Sequence, residues 1–186
     1  SKARTGKLTM HASDLVDSVF RGSQSSQINN IEALESAAEF LIKEGVVDVI
    51  GSDHAPHSLE NKKKEYPQTP SGMPGVQTLV PLMLNHVNNN KLTLNQFIKL
   101  VCENPVRIFG IKNKGYIKEG YDADLTIVDM NMKKVIKNDW IASKCGWTPF
   151  DGYEVKGFPL GTIVNGKAIV WDGKLIEKAN GKPLRF

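Results

Sequence analysis

Asp53, His54 and His57 stand together at the end of an apolar run, and their types and spacing suit acid–base chemistry. The Asp53 carboxylate can accept and return a proton or hold a metal ion, and an imidazole can donate a hydrogen bond in either neutral tautomer. Pro56 stiffens the loop between the two histidines. Just upstream, Val46-Val47-Asp48-Val49-Ile50 puts apolar, mostly β-branched side chains on both faces, the pattern of a strand buried on both sides, and Gly51 ends it. In folds that alternate parallel strands with helices, chemistry collects where the strands end, so Asp53 is expected to face a catalytic mouth. An Asp after a strand also serves as an ordinary turn former, and a neighbouring His as a satisfied loop residue. The Ala55-Pro56-His57 continuation weighs against that plainer reading.

Helices and strands must position these groups. Ile31, Leu34, Ala38, Leu41 and Ile42 share one helical stripe, with Asn30 as N-cap and Gly45 as the stop, and this helix runs directly into the strand at Val46. A helix followed at once by a buried strand is half of a βαβ unit. Ser58 to Gly75 reads as a long loop punctuated by Pro67, Pro70, Gly72, Pro74 and Gly75, either a stiff connector or a segment that brings main chain close to a small ligand. Val76, Leu79, Val80, Met83, Leu84 and Val87 then mark an amphipathic core helix, in which Pro81 predicts a kink near Gln77. Thr93 caps a further helix through Val101, and Asn104-Pro105 ends it and opens a short turn to Phe109. From Gly115 the period becomes strand-like: 123–128, 133–136, 161–164 and 167–171 are strand candidates, extended by Leu175-Ile176. Asn165-Gly166 and Asp172-Gly173 signal type I′ hairpins between them.

The start of the chain is less informative. Residues 1–30 are polar apart from Leu8–Met10 and a cluster from Leu15 to Phe20 that could form a short helix capped by Ser13; Gly22 to Asn30 reads as a polar loop. His11 reads as structural, and His86, with no carboxylate or His at helical spacing, as a surface residue. With 40% hydrophobic and 24% charged residues, the composition is that of an ordinary globular protein; no apolar run reaches membrane-span length and no signal peptide is evident. The net charge of +4 is dispersed apart from Lys62-Lys63-Lys64, which argues against nucleic-acid binding. Cys102 and Cys145 form neither a redox nor a zinc spacing, in keeping with a reducing cytoplasm.

Gly51-Ser-Asp-His-Ala-Pro-His57 resembles the final active-site motif of dihydroorotases, members of the metal-dependent amidohydrolase superfamily. The likeness continues through Tyr66–Gly75, Glu103–Gly110, Gly120–Leu125, Ala142–Gly152 and Gly161–Gly166, and covers about three quarters of the chain. It implies the C-terminal part of a TIM-barrel (α/β) amidohydrolase fold followed by a small β-sandwich segment. Residues 1–30 would be a poorly matching segment, 31–114 a partial barrel and 115–186 the β domain. A complete eightfold barrel takes about 250 residues, so open edges and self-association or a complementing chain are expected.

The resemblance also implies chemistry: interconversion of N-carbamoyl-L-aspartate and L-dihydroorotate in pyrimidine biosynthesis, with two metal ions, usually zinc. Asp53 would be a metal ligand and the proton shuttle, His57 would meet the substrate carboxylate, and Ser71-Gly72 would offer main-chain contacts over the substrate ring. The family draws its other ligands from a His-x-His pair, a carboxylated lysine and two later histidines, and this sequence of four histidines contains no His-x-His. The chain is thus a fragment, half of a split enzyme, or an inactive relative. Allantoinase or hydantoinase chemistry is the nearby alternative, although Lys144–Phe150 looks specifically like dihydroorotase. A different class remains: a non-catalytic structural or assembly partner of aspartate transcarbamoylase.

Overall fold

The computed structural model describes residues 9–11, 28–178 and 181–186 of the chain. Two compact units are present: one takes the residues up to Leu79 together with Val135–Tyr153, the other Val80–Lys134 with Glu154–Phe186.

The first unit is α/β. Strand β1 (Thr9–His11) pairs in parallel with β2 (Val49–Gly51), and His11 lies in register with Gly51. Helix α1 (Ile28–Lys43) starts ahead of the expected Asn30 cap, and the notional helix from Leu15 lies outside the described residues. Ala38 on helix α1 is buried. Two bonds close its end, Gly45 N–H to the Ile42 carbonyl at 3.1 Å and Val46 N–H to that of Leu41 at 2.9 Å, the paired closure of a Schellman motif. Because this cap takes the Val46 amide, the strand begins at Val49, three residues later than the apolar run suggests. Ile50 is buried within β2, and Val47 is buried just ahead of it. The loop after the motif contains one helical turn, α2 (Leu59–Lys62), capped by Ser58. Segment 136–153 leaves and returns through one neck, where Ile136 N–H bonds to Tyr153 O at 2.9 Å and Gly152 N–H to Ile136 O at 2.8 Å.

The second unit packs helices with a sheet. Helix α3 (Leu79–Asn88) carries the expected stripe, with Met83 and Leu84 buried. Pro81 falls in its first turn, where the missing N–H has no intrahelical partner to lose, so the sequence prediction of a kink near Gln77 is not met. Thr93 and Gln96 form a capping box on α4 (Leu94–Ile98). The chain then widens into a π-helical turn, Lys99–Glu103, and continues as α5 (Asn104–Phe109). Pro105 therefore does not end the helix; the wide turn accommodates it. Cys102 and Cys145 are free thiols, and burial, followed by the Glu103 charge, pushes the Cys102 thiol above its usual range.

Strands β3 (Leu125–Val135), β4 (Glu154–Val164), β5 (Lys167–Trp171) and β6 (Lys174–Leu175) form one open four-stranded sheet in that order. Both turns have positive φ at their two central residues, Asn165 and Gly166 at 48° and 78°, Asp172 and Gly173 at 47° and 72°, as type I′ demands. Asn85 and Asn88 join α3 to this sheet. Asn85 Oδ1 accepts from Lys156 N–H at 3.0 Å, while Asn88 Nδ2 reaches the carbonyls of Met130 and Lys156 at 3.0 and 2.8 Å.

One charge cluster fastens the first hairpin. Asn165 N–H donates to Asp124 Oδ1 at 2.7 Å, and Lys114 Nζ contacts both Asp124 and, at 3.2 Å, Asp122. The Asn165 amide first, then Lys114, hold the Asp124 carboxyl below the usual carboxylate range. A depressed folded pKa contributes stability above the unfolded value of about 3.9, and that contribution is lost as pH falls through the folded value. Asp124→Asn is therefore expected to cost on the order of 1 kcal/mol at neutral pH, the carboxylate being partly solvated, and to shrink that difference toward zero in acid. Urea titrations of both proteins across the acid range check this; parallel stability curves would contradict it.

Candidate active site at the end of β2

Gly51 ends β2, and the chain turns sharply at Asp53, whose φ is 44°. That left-handed conformation is one that Asp and Asn tolerate better than most residues with a side chain. Asp53 is exposed just past the strand's end, and His57 is half-buried four residues on.

The loop of residues 71–75 folds directly onto this turn. Ala55 N–H donates to the Met73 carbonyl at 2.9 Å, and His54 bridges to Met73. His54 Nδ1 accepts from Gly75 N–H at 3.1 Å and from Val76 N–H at 3.4 Å, so its ring proton sits on Nε2. His54 thus fastens the loop. Nothing in the sequence distinguishes that role from a ligand's. Gly72, at φ 88°, passes so near that a Cβ there would lie 2.6 Å from Ala55 Cβ. Only glycine fits. From the other side, Lys62 Nζ donates to the carbonyls of Pro70 at 2.7 Å and Gly72 at 3.0 Å. A lysine from a run that reads as a solvated face therefore anchors the candidate substrate loop. Ser71 is exposed on it.

A third wall comes from segment 136–153. Trp147 Nε1 donates to the His57 carbonyl at 2.8 Å. Gln77 braces the same segment, giving its Nε2 to Trp140 O at 2.7 Å and accepting from Ala142 N–H at 2.8 Å. A shallow cleft lined by Lys137, Asn138, Asp139, Asp151 and Gly152 opens at the neck; none of the candidate residues lines it.

A metal makes further demands. A catalytic zinc takes three protein ligands, and among the described residues no three His, Cys, Asp or Glu side chains come together to supply them. His54 Nδ1 is committed to main-chain amides. The donors described do not by themselves fit a metal centre.

A carboxylate just past the end of a parallel strand lies where α/β folds collect their chemistry, and here loop 71–75 is bonded to the turn that follows it. The amidohydrolase family model matches residues 19–169, and the chain belongs to the amidohydrolase family. It is 44% identical over 136 residues to the dihydroorotase of Pyrococcus furiosus, covering 73% of this chain and 32% of that protein. To the dihydroorotase of Halobacterium salinarum it is 38% identical over 144 residues, covering 77% and 34%. Among solved structures, the L-hydantoinase of Arthrobacter aurescens matches with a TM-score of 0.73 at 32% identity, over 76% of this chain and 32% of that one. The D-hydantoinase of a Thermus species matches with a TM-score of 0.70 at 27% identity, over 77% and 32%. The chain spans about a third of the length of the curated relatives it matches. Among the described residues, no helix is long and apolar enough to cross a membrane.

Proposed function

We propose that this chain supplies the proton-transfer carboxylate and the substrate loop of a cyclic amidohydrolase that interconverts L-dihydroorotate and N-carbamoyl-L-aspartate, a step of cytoplasmic pyrimidine biosynthesis. One observation carries the reading: loop 71–75 is bonded onto the Asp53–His57 turn, which supports their acting together. In the hydrolytic direction, water oxygen adds to the ring amide carbon, Asp53 takes the proton this releases and returns it to the ring nitrogen, and the C–N bond breaks. His57 donates to the substrate carboxylate, and Ser71-Gly72 present main chain to the ring. Zinc would need donors from outside the described residues beside Asp53, whether from a longer chain, a second copy or a complementing chain. The partial barrel of 31–114 and the β domain of 115–186, with a sandwich partner for its sheet, belong to the same proposal.

Two other readings compete with this one. The likeness to solved hydantoinases supports hydantoinase chemistry. The non-catalytic alternative is an assembly partner of aspartate transcarbamoylase. Titration of the full chain with L-dihydroorotate, dihydrouracil and hydantoin, followed by NMR, separates them. L-Dihydroorotate is expected to shift both His57 and Gly72 signals, and the rings without a carboxylate to bind more weakly and shift Gly72 alone. Equal response to all three would favour the hydantoinase reading. No response, with binding to a transcarbamoylase, would favour assembly.

A further inference from the structure

The segment that looks most specific to dihydroorotases, Lys144–Phe150, has no part in the chemistry above, yet it reaches the motif through one bond. Trp147 Nε1 donates to His57 O at 2.8 Å across 90 positions of sequence. On the other side of the same Cα, His57 N–H donates to Ala55 O at 2.9 Å. Both peptide planes flanking His57 are thereby held, and only the side-chain torsions of its ring remain free. Ala55 is in turn bonded to Met73, so the His57 main chain is tied to the candidate substrate loop.

Trp147 is itself well held. Thr148, its neighbour, is buried, and its N–H donates to Asn138 Oδ1 at 2.7 Å, while Asn138 N–H donates to Asp151 Oδ1 at 2.8 Å. Phe150 N–H reaches Thr148 Oγ1 at 3.3 Å, and Gln77 ties down residues 140 and 142. A half-buried indole on so constrained a segment gives a fixed donor. That is what orienting a backbone carbonyl requires.

We propose that Trp147 is a positioning residue for recognition of the substrate's carboxylate: by fixing the His57 carbonyl it sets the imidazole that meets a carboxylate on the cyclic amide. The inference rests on the proposed role of His57. It makes segment 144–150 a specificity device that favours ring substrates bearing a carboxylate over the same rings without one.

Trp147→Phe in the full chain keeps the aromatic bulk and removes only the N–H. L-Dihydroorotate is expected to bind about tenfold more weakly, the loss of one donor that positions a charged contact. Dihydrouracil, the same ring without the carboxylate, should be unaffected, and His57 ring signals should shift. Equal weakening for both ligands would reduce Trp147 to general scaffolding and overturn the proposal, as would unchanged His57 signals. If the variant fails to fold, the unsubstituted chain still decides. The Trp147 indole proton should exchange with solvent at least tenfold more slowly than that of the exposed Trp171, and equal rates would overturn the bond itself. An unsubstituted chain that binds neither ligand overturns the functional reading, and the His57 signals then judge the positioning alone.

Discussion

Once the remaining donors are supplied, Asp53→Asn is expected to turn over L-dihydroorotate about 10²- to 10⁴-fold more slowly than the unsubstituted protein, with its fold intact. The amide is nearly isosteric with the carboxylate but can neither accept the proton from water nor return it to the ring nitrogen. Structural damage should be small for a specific reason. Asp53 sits at φ 44°, and Asn is the residue that best tolerates that conformation after glycine. Alanine is a poorer control, because an ordinary side chain in the left-handed region costs about 1–2 kcal/mol of backbone strain. A melting curve beside the kinetics separates the effects: Asn should melt like the unsubstituted protein, and Ala several degrees lower. Activity of Asp53→Asn within threefold of the unsubstituted protein would remove Asp53 from the proton path.

Why that site was legible in sequence, and where legibility stopped, follows from which interactions are local. Gly51–His57 could be read because a buried strand ending in ionisable residues is a short-range pattern, and the structure keeps Asp53 at that end. The type I′ turns were equally readable, since Asn-Gly and Asp-Gly satisfy positive φ by themselves. The two pieces read as strands at 123–128 and 133–136 fall largely in one strand, β3 (Leu125–Val135); Asn131 and the paired lysines after Met132 interrupt the apolar alternation, but the strand runs on through them. The first half of β4 was hidden because Gly157 and Pro159 argue against a strand, and here its ladder with β5 begins only at Gly161. His54, Lys62 and Trp147 were missed as site supports for a different reason. Their partners are main-chain groups in other segments, and a backbone acceptor leaves no mark in the sequence.

Gly157 shows the same limit from the side of packing, and its substitution carries the second large expectation. A Cβ on Gly157 would lie 2.7 Å from Leu84 Cβ and 3.0 Å from Asn88 Nδ2, at a φ of 98°. Neither neighbour can yield cheaply. Leu84 is 1% exposed at the centre of α3, and Asn88 Nδ2 is engaged with the Met130 and Lys156 carbonyls. Gly157→Ala must therefore push α3 off β4, strain the backbone, or lose the asparagine bonds. Backbone strain of about 1–2 kcal/mol and overpacking of about 1–3 kcal/mol put the expected loss at roughly 2–5 kcal/mol, a large part of the stability of an ordinary domain. Gly173 provides the control, having φ 72° but no neighbour within 4 Å of the position a Cβ would take, so Gly173→Ala should cost the backbone part alone. Urea unfolding of the two variants isolates the packing part as their difference, with the larger loss at Gly157. Equal losses would mean that α3 and the sheet do not approach as closely in solution, and that Asn85 and Asn88, not the glycine contact, set their spacing.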